Sequence, residues 1–335
     1  MSLESSLVRC WYARRGWCLI LIPLSLIFIA LAWLRKHLYD WGWLASRRMP
    51  APVIVVGNLT AGGAGKTPLV IWLVEKLRGE GYRPGVVSRG YGSSATEVRE
   101  AEPDGDPALL GDEPVLLARR TRCPVWVGRR RAEAARRLLA SHPEVNVIIA
   151  DDGLQHYALA RDVEIVVVDG QRRFGNGWRL PAGPLREGLA RLRQVDAVVV
   201  NGDGRLAESV CPVFTMTLDG QSFSNLHDPS RTVSADFFRG RQVHALAGIG
   251  NPERFFNALP GLGLTIERHP FPDHYAYRQE DLPKGTVIMT EKDAVKCAAY
   301  DHPDAWVLAV DARVSDGLEQ LILAKLESKH GQQAA

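Results

Sequence analysis

Cysteine is scarce in this sequence, with five residues in 335. The number is odd, and no two cysteines stand at a spacing typical of zinc ligands or of a disulfide framework. We therefore expect reduced thiols, without a structural zinc site and without a disulfide framework. The cysteines are Cys10, Cys18, Cys123, Cys211 and Cys297.

A strong charge of either sign is also missing. The formal net charge is +3 at pH 7, which is too small to indicate a nucleic-acid partner. The sequence has no internal repeat, and its 46% hydrophobic and 24% charged residues are typical of a globular protein. Its arginines are clustered. The clusters are either solvated faces of helices or contacts to anionic lipid headgroups or to an acidic substrate. They are Arg129, Arg130, Arg131, Arg136, Arg137, Arg172, Arg173, Arg186, Arg191 and Arg193.

Residues 17–34 contain no charged residue. As a helix they would be roughly 27 Å long, enough to cross the hydrocarbon core of a bilayer. Trp17 and Trp33 stand where the membrane interfaces would lie. The flanking basic residues are Arg14, Arg15, Arg35 and Lys36. We predict an uncleaved membrane anchor within residues 1–36; the alternatives are an interfacial helix and a signal peptide cleaved near Ala30-Leu31-Ala32.

A glycine-rich turn follows the apolar run 53–56, and residues 53–67 read Val-Ile-Val-Val-Gly-Asn-Leu-Thr-Ala-Gly-Gly-Ala-Gly-Lys-Thr. This is the strand, loop and helix context of a phosphate-binding loop, with Thr60 in place of the first glycine of the usual motif. Lys66 would reach the β- and γ-phosphates of a nucleotide, and the Thr67 hydroxyl would bind Mg²⁺. An ordinary glycine turn is the alternative.

This loop predicts both a nucleotide site and a location. The predicted nucleotide contacts are Thr60, Ala61, Gly62, Gly63, Ala64, Gly65, Lys66, Thr67 and Pro68. Positive charge is nearly balanced on the two sides of the apolar run, so it does not orient the anchor. Because ATP is a cytosolic substrate, the loop places residues 36–335 in the cytosol.

Short apolar runs alternate with amphipathic stretches in the rest of the chain, as in parallel sheets covered by helices on both faces. The predicted strands are 53–56, 84–88, 125–127, 147–150, 165–169, 197–200, 213–216, 243–247, 286–289 and 306–310. The predicted helices are 68–78, 112–120, 130–140, 252–259 and 315–327. We expect an α/β fold with an N-terminal transmembrane helix, a P-loop NTPase-type parallel-sheet lobe (37–218), a linker (219–234) and a smaller α/β lobe (235–330).

Acidic residues at two places in the first lobe are candidates for metal binding or catalysis. Asp151 and Asp152 follow a predicted strand, and adjacent carboxylates at a strand end repel each other unless a cation neutralises them. We predict that they bind Mg²⁺ with Thr67; an acidic turn is the alternative, and Asp169 is a rival ligand. Asp112, at the start of a predicted helix, is either an ordinary N-cap or a functional carboxylate.

Four further segments carry residues suited to ligand binding. Residues 88–92 read Ser-Arg-Gly-Tyr-Gly, and 181–187 end in an Arg–Glu pair. In the second lobe, Asp273 and His274 stand beside two tyrosines, as an acid–base pair or as structural residues. Residues 290–293 read Thr-Glu-Lys-Asp, which predicts a helix cap or a contact to adenosine or the hinge.

In this order, the motifs resemble those of the tetraacyldisaccharide 4′-kinase family. The phosphate loop and Asp151-Asp-Gly-Leu-Gln-His156 are the most specific, and the resemblance extends from the anchor to about residue 310. The other motifs are Ser88-Arg-Gly-Tyr-Gly92, Gly111-Asp-Glu-Pro114, Leu185-Arg-Glu187, Asp273-His274 and Thr290-Glu-Lys-Asp293. Thr60 is no departure, because the family's loop has the same variant form.

The resemblance implies an inner-membrane enzyme, with its catalytic lobes on the cytoplasmic side, that uses ATP and Mg²⁺. Its substrate would be an acylated glucosamine disaccharide 1-phosphate, phosphorylated at the 4′-hydroxyl in lipid A biosynthesis. Asp112 would be the general base, His274 would orient it or tune its pKa, and Lys66 would neutralise phosphate charge. The implied substrate contacts are Arg89, Tyr91, Arg131 (with Arg130 as the alternative match), Gln155, Arg186 and Glu187.

The partners we expect are the lipid substrate and the inner membrane, with no nucleic acid and no obligatory protein partner. A membrane-tethered P-loop ATPase that acts as a switch is the second hypothesis. It would share the phosphate loop and the membrane element, but it would need neither Asp112 nor His274. A soluble nucleotide kinase would leave residues 17–34 unexplained.

Overall fold

Two sheets organise the chain. The computed structural model describes residues 3–13, 16–92, 97–204, 206 and 211–333. Its strands are β1 (Val53–Gly57), β2 (Pro84–Ser88), β3 (Arg99–Glu100), β4 (Val125–Val127), β5 (Val147–Asp151), β6 (Val163–Asp169), β7 (Ala197–Asn201), β8 (Val213–Asp219), β9 (Ser222–Asn225), β10 (Thr232–Ser234), β11 (Gln242–Ala247), β12 (Thr265–Pro270), β13 (Thr286–Thr290), β14 (Ala305–Leu308) and β15 (Asp311–Val314). Its helices are α1 (Leu3–Tyr12), α2 (Ile22–Asp40), α3 (Lys66–Gly79), α4 (Pro107–Leu110), α5 (Asp112–Thr121), α6 (Arg131–Ser141), α7 (Pro252–Gly261), α8 (Glu291–Cys297) and α9 (Leu318–Gln333).

The larger sheet has the order β15-β8-β7-β6-β1-β5-β2-β4-β3 within the described residues. Its inner strands pair in parallel, and the edge strands β3 and β15 are antiparallel to their neighbours. Successive residues of β1 enter different cores: Ile54 and Val56 pack with Leu69 of α3, and Val53 and Val55 pack on the opposite face. Each buried Val or Ile stabilises the fold by roughly 1.5–3 kcal/mol. Helices on both faces therefore account for the continuously apolar strands, as predicted.

The smaller sheet has the order β10-β9-β14-β13-β11-β12 in the described part of the chain. The strands β12, β11, β13 and β14 are parallel, and β9 and β10 add antiparallel pairs at one edge. An aromatic core covers one face, with Phe223, Phe238, Phe256 and Trp306 almost fully buried. The α/β fold class is confirmed for both lobes.

The lobe boundaries differ from the predicted ones. Residues 219–234 include β9 and β10, which belong to the smaller sheet. The chain then returns to the larger sheet, because β15 pairs with β8 and α9 buries Leu318 and Leu326 in the larger lobe. The short edge strands are rich in polar residues, so the sequence pattern could not distinguish them from a linker.

Every predicted strand is present, but β3, β9, β10, β12 and β15 were not predicted. Three helices were also missed: α1, α4 and α8. The missed strands lie at or next to sheet edges, where exposure removes the apolar pattern on which the prediction depended.

The N-terminal segment folds back on itself and forms a disulfide. Cys10 of α1 is joined to Cys18, which lies in a 3₁₀ turn (Trp17–Leu21), and their Cα atoms are 5.9 Å apart. The expectation of reduced thiols is wrong for this pair, because α1 packs against the 3₁₀ turn and brings Cys10 beside Cys18. Cys123 and Cys297 are buried thiols outside any disulfide, as expected.

Trp17–Asp40 forms a helical segment that is long and apolar enough to cross a membrane, with a mean hydropathy of 2.5. Only 11% of its apolar window is buried in the protein. This finding is consistent with membrane association. The flanking Arg14 and Arg15 lie outside the described residues.

One face of α2 nevertheless contacts the larger lobe near both ends of the helix. The Ser25 hydroxyl donates to the Arg179 carbonyl at 2.9 Å and accepts from the Ala182 amide at 2.9 Å. Three to four turns further on, the Tyr39 ring lies 6.0 Å from the Tyr157 ring. The two contacts are roughly 21 Å apart along the helix axis, so α2 lies along the lobe surface.

Candidate active site

The loop between β1 and α3, which we call the phosphate loop after its predicted role, joins a buried strand to a helix N-terminus. The helix starts at Lys66, slightly earlier than predicted. Gly65 has a φ of +93°, and a Cβ atom there would collide with the Asn201 side-chain amide, so this position requires glycine. Asn201 ends β7 and donates a hydrogen bond to the Ala64 carbonyl at 3.0 Å. A neighbouring strand therefore fixes the shape of the loop.

Eight of the nine predicted nucleotide contacts fall into two groups; the ninth, Gly62, accepts a hydrogen bond from the Asn58 amide. Gly63–Pro68 line a cavity of about 550 Å³ between the lobes. Thr60 is instead buried in a β-bridge with Leu185, and the Ala61 amide donates to the Pro184 carbonyl at 2.8 Å. Thr60 and Ala61 thus tie the phosphate loop to residues 178–187, which we call the bridging loop.

Lys66 points toward the acidic end of β5. Its Nζ lies 3.3 Å from the Asn58 Oδ1 and 3.4 Å from the Asp152 Oδ1. The Asn58 amide also donates to the Gly62 carbonyl at 3.1 Å, which links the start and middle of the loop. Lys66 is therefore oriented by its own loop and by the neighbouring strand end.

Asp152 is surrounded by cations. Arg186 of the bridging loop donates to both carboxylate oxygens, at 3.1 and 3.0 Å, and Arg131 donates to the Asp152 carbonyl at 2.6 Å. Burial tends to raise the pKa of Asp152, but the charges of Lys66, Arg186 and Arg131 outweigh it and hold the pKa well below its usual range. Asp152 is therefore an ionised anchor for cationic side chains.

Asp151 has the opposite environment, although it is the adjacent residue. It is 1% exposed, its Oδ2 accepts from the Ser88 hydroxyl at 3.3 Å, and its Oδ1 is buried without a hydrogen-bond partner among the described residues. Burial, followed by the nearby negative charge of Glu113, raises the pKa of Asp151 to about 7. An unpartnered buried carboxylate oxygen beside a second acid fits a divalent cation.

Asp112 and His274 form a pair that joins the two lobes. The His274 Nδ1 lies 3.1 and 3.0 Å from the two Asp112 carboxylate oxygens, across 162 residues of sequence. Asp112 is 4% exposed and begins α5, and His274 sits in a loop with a left-handed φ of 58°. The helix start and the loop therefore place a carboxylate and an imidazole in direct contact.

The two groups shift each other's pKa in opposite directions. Burial raises the pKa of Asp112, but the His274 hydrogen bond and the Lys292 and Lys296 charges outweigh burial and lower it overall. Burial lowers the pKa of His274, but the hydrogen bond to Asp112 and the negative charge of Asp273 raise it overall. Asp112 is thus an ionised carboxylate at neutral pH.

Lys292 connects the acidic groups of both lobes. Its Nζ lies 3.0 Å from Glu113, 3.0 Å from Asp273 and 3.9 Å from Asp112. Burial lowers the pKa of Lys292, but these three carboxylates outweigh burial and raise it. Thr290 caps α8 through the Asp293 amide, which confirms the cap that the Thr-Glu-Lys-Asp motif predicted.

Two of the predicted substrate contacts, Arg89 and Tyr91, lie at the surface, and Tyr91 lies beside this pair. Tyr91 is 62% exposed, and its ring centroid lies 4.9 Å from that of His274. Arg89 is also exposed, one residue after β2. Both side chains are accessible to solvent, and Tyr91 is accessible beside His274, the partner of Asp112.

The other predicted substrate contacts are used inside the protein. Arg131 is buried against Asp152, the Gln155 side chain donates to the Asn58 carbonyl at 3.3 Å, and Glu187 accepts from the Tyr157 hydroxyl at 2.9 Å. Arg186 and Glu187 therefore contact different partners although they are adjacent. These four side chains are therefore engaged in contacts within the protein.

Asp169, the rival metal ligand, is bonded to protein donors. Its carboxylate accepts from the Asn251 amide at 3.0 Å and from the backbone amides of Gln171 and Arg172 at 3.0 Å, and Arg254 lies at 3.3 Å. These contacts join the larger lobe to α7 of the smaller one. Asp169 therefore acts as a structural link, unlike Asp151.

The cavity between the lobes has a polar end and an apolar end. The phosphate loop forms the polar end with Glu113 and Lys292. The apolar end consists of Ile249, Phe255, Ala258, Leu262, Leu308 and Val310. A planar base and a chain of phosphates would match this division of polarity.

Comparison with known proteins identifies the family. The family model described as Tetraacyldisaccharide-1-P 4′-kinase matches residues 17–327. The chain belongs to this family. It is accordingly an enzyme of the kinase class.

Relatives support this assignment over nearly the whole chain. A tetraacyldisaccharide 4′-kinase of Methylobacillus flagellatus is 49% identical over 97% of both chains. One of Azoarcus sp. is 50% identical over 97% of this chain and 96% of its own. A crystal structure of LpxK from Aquifex aeolicus in complex with ATP has a TM-score of 0.78 at 29% identity, over 92% of this chain and 99% of that chain.

Sequence reasoning missed several residues of this kinase's site. Glu113 was noted only within the Gly111–Pro114 helix start and motif, and Asn201, the residue after the predicted strand 197–200, was not singled out; both line the cavity. Lys292 and Lys296 reach Asp112 from the other lobe. A polar residue directly after an apolar run, as Asn201 is after 197–200, was the available signal. Lys292 stood within the Thr290–Asp293 motif, but the contacts of Lys292 and Lys296 with Asp112 gave no signal, because Asp112 is distant in sequence.

Proposed function

We propose that this kinase transfers the γ-phosphoryl group of ATP to the 4′-hydroxyl of an acylated glucosamine disaccharide 1-phosphate, a step of lipid A biosynthesis. The observation that carries the proposal is the Asp112–His274 pair beside a cavity that the phosphate loop lines. The family supports the reaction, and the ATP complex of the Aquifex aeolicus structure supports the nucleotide.

ATP would lie in the cavity with its base at the apolar end. Gly65 is the N-cap of α3, and the N-terminus of this helix would attract phosphate. Lys66 would leave Asp152 and turn to the β- and γ-phosphates. Arg186 would then continue to neutralise Asp152, because it holds both carboxylate oxygens.

Asp112 would take the proton of the sugar hydroxyl as that oxygen attacks the γ-phosphorus and the bond to the leaving ADP oxygen breaks. His274 positions the carboxylate through its Nδ1, and Lys292 keeps it ionised. Most of the acceleration would come from charge neutralisation and positioning. His274 and Lys292 both come from the smaller lobe, so relative movement of the lobes would assemble or open the site.

Magnesium would be held by Asp151, with Glu113 and the Thr67 hydroxyl as further ligands, and Asp152 would support Lys66. A magnesium ion bound there would neutralise phosphate charge during transfer. The carboxylate of Asp151 has the unpartnered oxygen that such a role requires. The structure thus favours different roles for the two adjacent aspartates.

Replacing Asp151 by asparagine should stabilise the magnesium-free protein at pH 8 and remove its response to magnesium. Because the folded pKa is raised from 3.8 to about 7, the ionised carboxylate costs stability as pH rises through this range. We expect a gain of at least about 1 kcal/mol in unfolding free energy at pH 8. Thermal unfolding with and without Mg²⁺ at pH 5 and 8 measures both effects.

Asp152→Asn serves as the matched control, since it removes an ionised anchor instead. We expect that variant to be less stable than the wild type at pH 8. If Asp151→Asn were also less stable and kept its Mg²⁺ response, the assignment of the metal ligand would be wrong.

We further propose that α2 lies in the plane of the membrane interface on the cytoplasmic side of the inner membrane. Its contacts through Ser25 and Tyr39 hold it along the larger lobe, while apolar side chains such as Leu24 and Leu31 are 54% and 62% exposed. A helix that crossed the bilayer could not keep both contacts without submerging the lobe.

The bridging loop would then connect the membrane-bound helix α2 to the phosphate loop and to Asp152. Arg179 and Ala182 bind Ser25 of α2, Pro184 binds the phosphate loop, and Arg186 binds Asp152. A lipid substrate whose acyl chains remain in the bilayer could thus present its headgroup near Asp112. The exposed Arg89 and Tyr91 are the proposed headgroup contacts.

The double substitution Leu24→Glu and Leu31→Glu should weaken binding to anionic vesicles on the order of 100-fold, because two buried leucines are lost from the lipid. The exposed Val213→Glu is the matched control and should bind normally.

Thiol labelling tests the orientation of the helix. In Ala13→Cys and Asp40→Cys variants, both new cysteines should react with an impermeant thiol reagent from the cytoplasmic side. Reaction of only one of them would support a spanning helix.

A transfer assay tests the proposed function. The purified protein in detergent would receive labelled MgATP and an acylated glucosamine disaccharide 1-phosphate. We expect label on the 4′-oxygen of the lipid. ATP hydrolysis without labelled lipid would instead favour the membrane-tethered ATPase switch.

A further inference from the structure

A cluster of two histidines and a glutamate lies on the smaller sheet, apart from the Asp112–His274 pair. His244 of β11 stands opposite Glu267 of β12 in the strand register, and His269 follows two residues later on the same face. One ligand atom from each of the three side chains lies within 4.8 Å of the others. Two neighbouring strands thus place three side chains that can bind a metal ion close together.

The distances within the cluster match a tetrahedral metal site. The His244 Nδ1 lies 3.1 Å from the His269 Nε2, and each of these nitrogens lies 3.5 Å from a Glu267 carboxylate oxygen. Ligands about 2.0–2.1 Å from a zinc ion are roughly 3.3 Å apart at tetrahedral angles. The three side chains therefore need little movement to enclose a cation.

We propose that His244, Glu267 and His269 bind a divalent cation of the zinc class and that water takes the fourth position. Imidazole and carboxylate ligands suit Zn²⁺, and the partly exposed side chains leave the site open to solvent. One of the two facing ring nitrogens donates its proton to the other. When the cation binds, the donor ring would change tautomer and carry that proton on its other nitrogen, so that both facing nitrogens offer lone pairs. The site contains no cysteine, so cysteine spacing gave no sign of it.

The neighbouring side chains favour a cation at this site. The cation Arg268 lies between two of the ligands in sequence, but its side chain contacts Glu253 and Asn257 on the other face of β12. Gln242 donates to the Glu267 carboxylate at 3.2 Å and helps to orient it. The ligands thus have a supporting contact, and the nearest cation in sequence is paired elsewhere.

The bound cation would clamp an edge strand. β12 ends the smaller sheet and pairs only with β11 among the described strands. The chain leaves β12 at Pro270 and reaches His274 within the same loop. A clamp between His244 and His269 would hold the strand from which the His274 loop departs.

Cobalt and zinc titrations of the full-length protein in detergent test this proposal. The protein would first be treated with a chelator and then saturated with Mg²⁺. We expect one equivalent of Co²⁺ to give a visible absorption band of tetrahedral type and one equivalent of Zn²⁺ to displace it. Hydrogen exchange should slow in β12 when Zn²⁺ binds.

Variants identify the ligands. His244→Ala and His269→Ala should each weaken Zn²⁺ binding more than about 100-fold, because loss of a supporting partner alone costs roughly 10- to 100-fold. Glu267→Gln, at an exposed position, provides a milder change if an alanine variant unfolds. His227→Ala is the matched histidine control, since it follows β9 near the opposite edge of the sheet.

A second control separates this site from the catalytic one. His274→Asn should leave Zn²⁺ binding unchanged. Binding that is lost in His274→Asn but kept in His244→Ala and His269→Ala would overturn the proposal. Failure of the wild-type protein to bind Zn²⁺ at micromolar concentration would do the same.

Discussion

Replacing Asp112 by asparagine is expected to lower kcat for phosphoryl transfer about 10²- to 10⁴-fold, with little change in ATP affinity. Asparagine keeps the size of the side chain but cannot accept a proton. The carboxylate is ionised at neutral pH because His274, Lys292 and Lys296 together outweigh the effect of burial. Initial rates with lipid substrate and a separate ATP-binding measurement distinguish the two quantities.

The control for this variant is Asp106→Asn, which alters an exposed cap of α4 and should leave the rate unchanged. His274→Asn tests the positioning role. It removes the hydrogen bond that lowers the pKa of Asp112, so that pKa should rise and activity should be lost at a higher pH as the solution is acidified. An unchanged acid limb of the pH profile, or near-normal turnover of Asp112→Asn, would contradict the assignment.

Replacing Lys66 by alanine is expected to lower kcat/KM at least about 10²- to 10³-fold, as for other donors that neutralise developing charge. The ammonium group lies between Asn58 and Asp152 in this structure and would turn to the phosphates of ATP. Its loss also removes one of the cations that lower the pKa of Asp152. Transfer rates over a range of ATP concentrations measure the effect.

Lys76→Ala provides the matched control on the same helix. Lys76 is half exposed and contacts Glu319, far from the cavity lining. We expect normal kinetics and normal thermal stability for this control variant. Wild-type activity of Lys66→Ala would show that residues 57–68 form an ordinary glycine turn.

Local patterns in the sequence were enough for much of the fold. The apolar runs around 53–56, 147–150 and 197–200 predicted inner strands, since such residues are stable only when both faces of a sheet are covered. The polar edge strands β9 and β15 were missed because half-exposed strands lack that pattern. The disulfide between Cys10 and Cys18 was missed because it depends on how α1 packs against the segment that follows it.

The sequence by itself determined the strand, glycine-rich loop and helix around residues 53–79, the acids at the end of β5 and the apolar N-terminal helix. Each of these is encoded in a few consecutive residues and needs no knowledge of distant neighbours. Only the tertiary structure brought His274 to Asp112 and laid α2 along the larger lobe. It also gave Asp151 and Asp152 opposite pKa shifts, because burial and neighbouring charge depend on which distant residues the fold places beside each carboxylate.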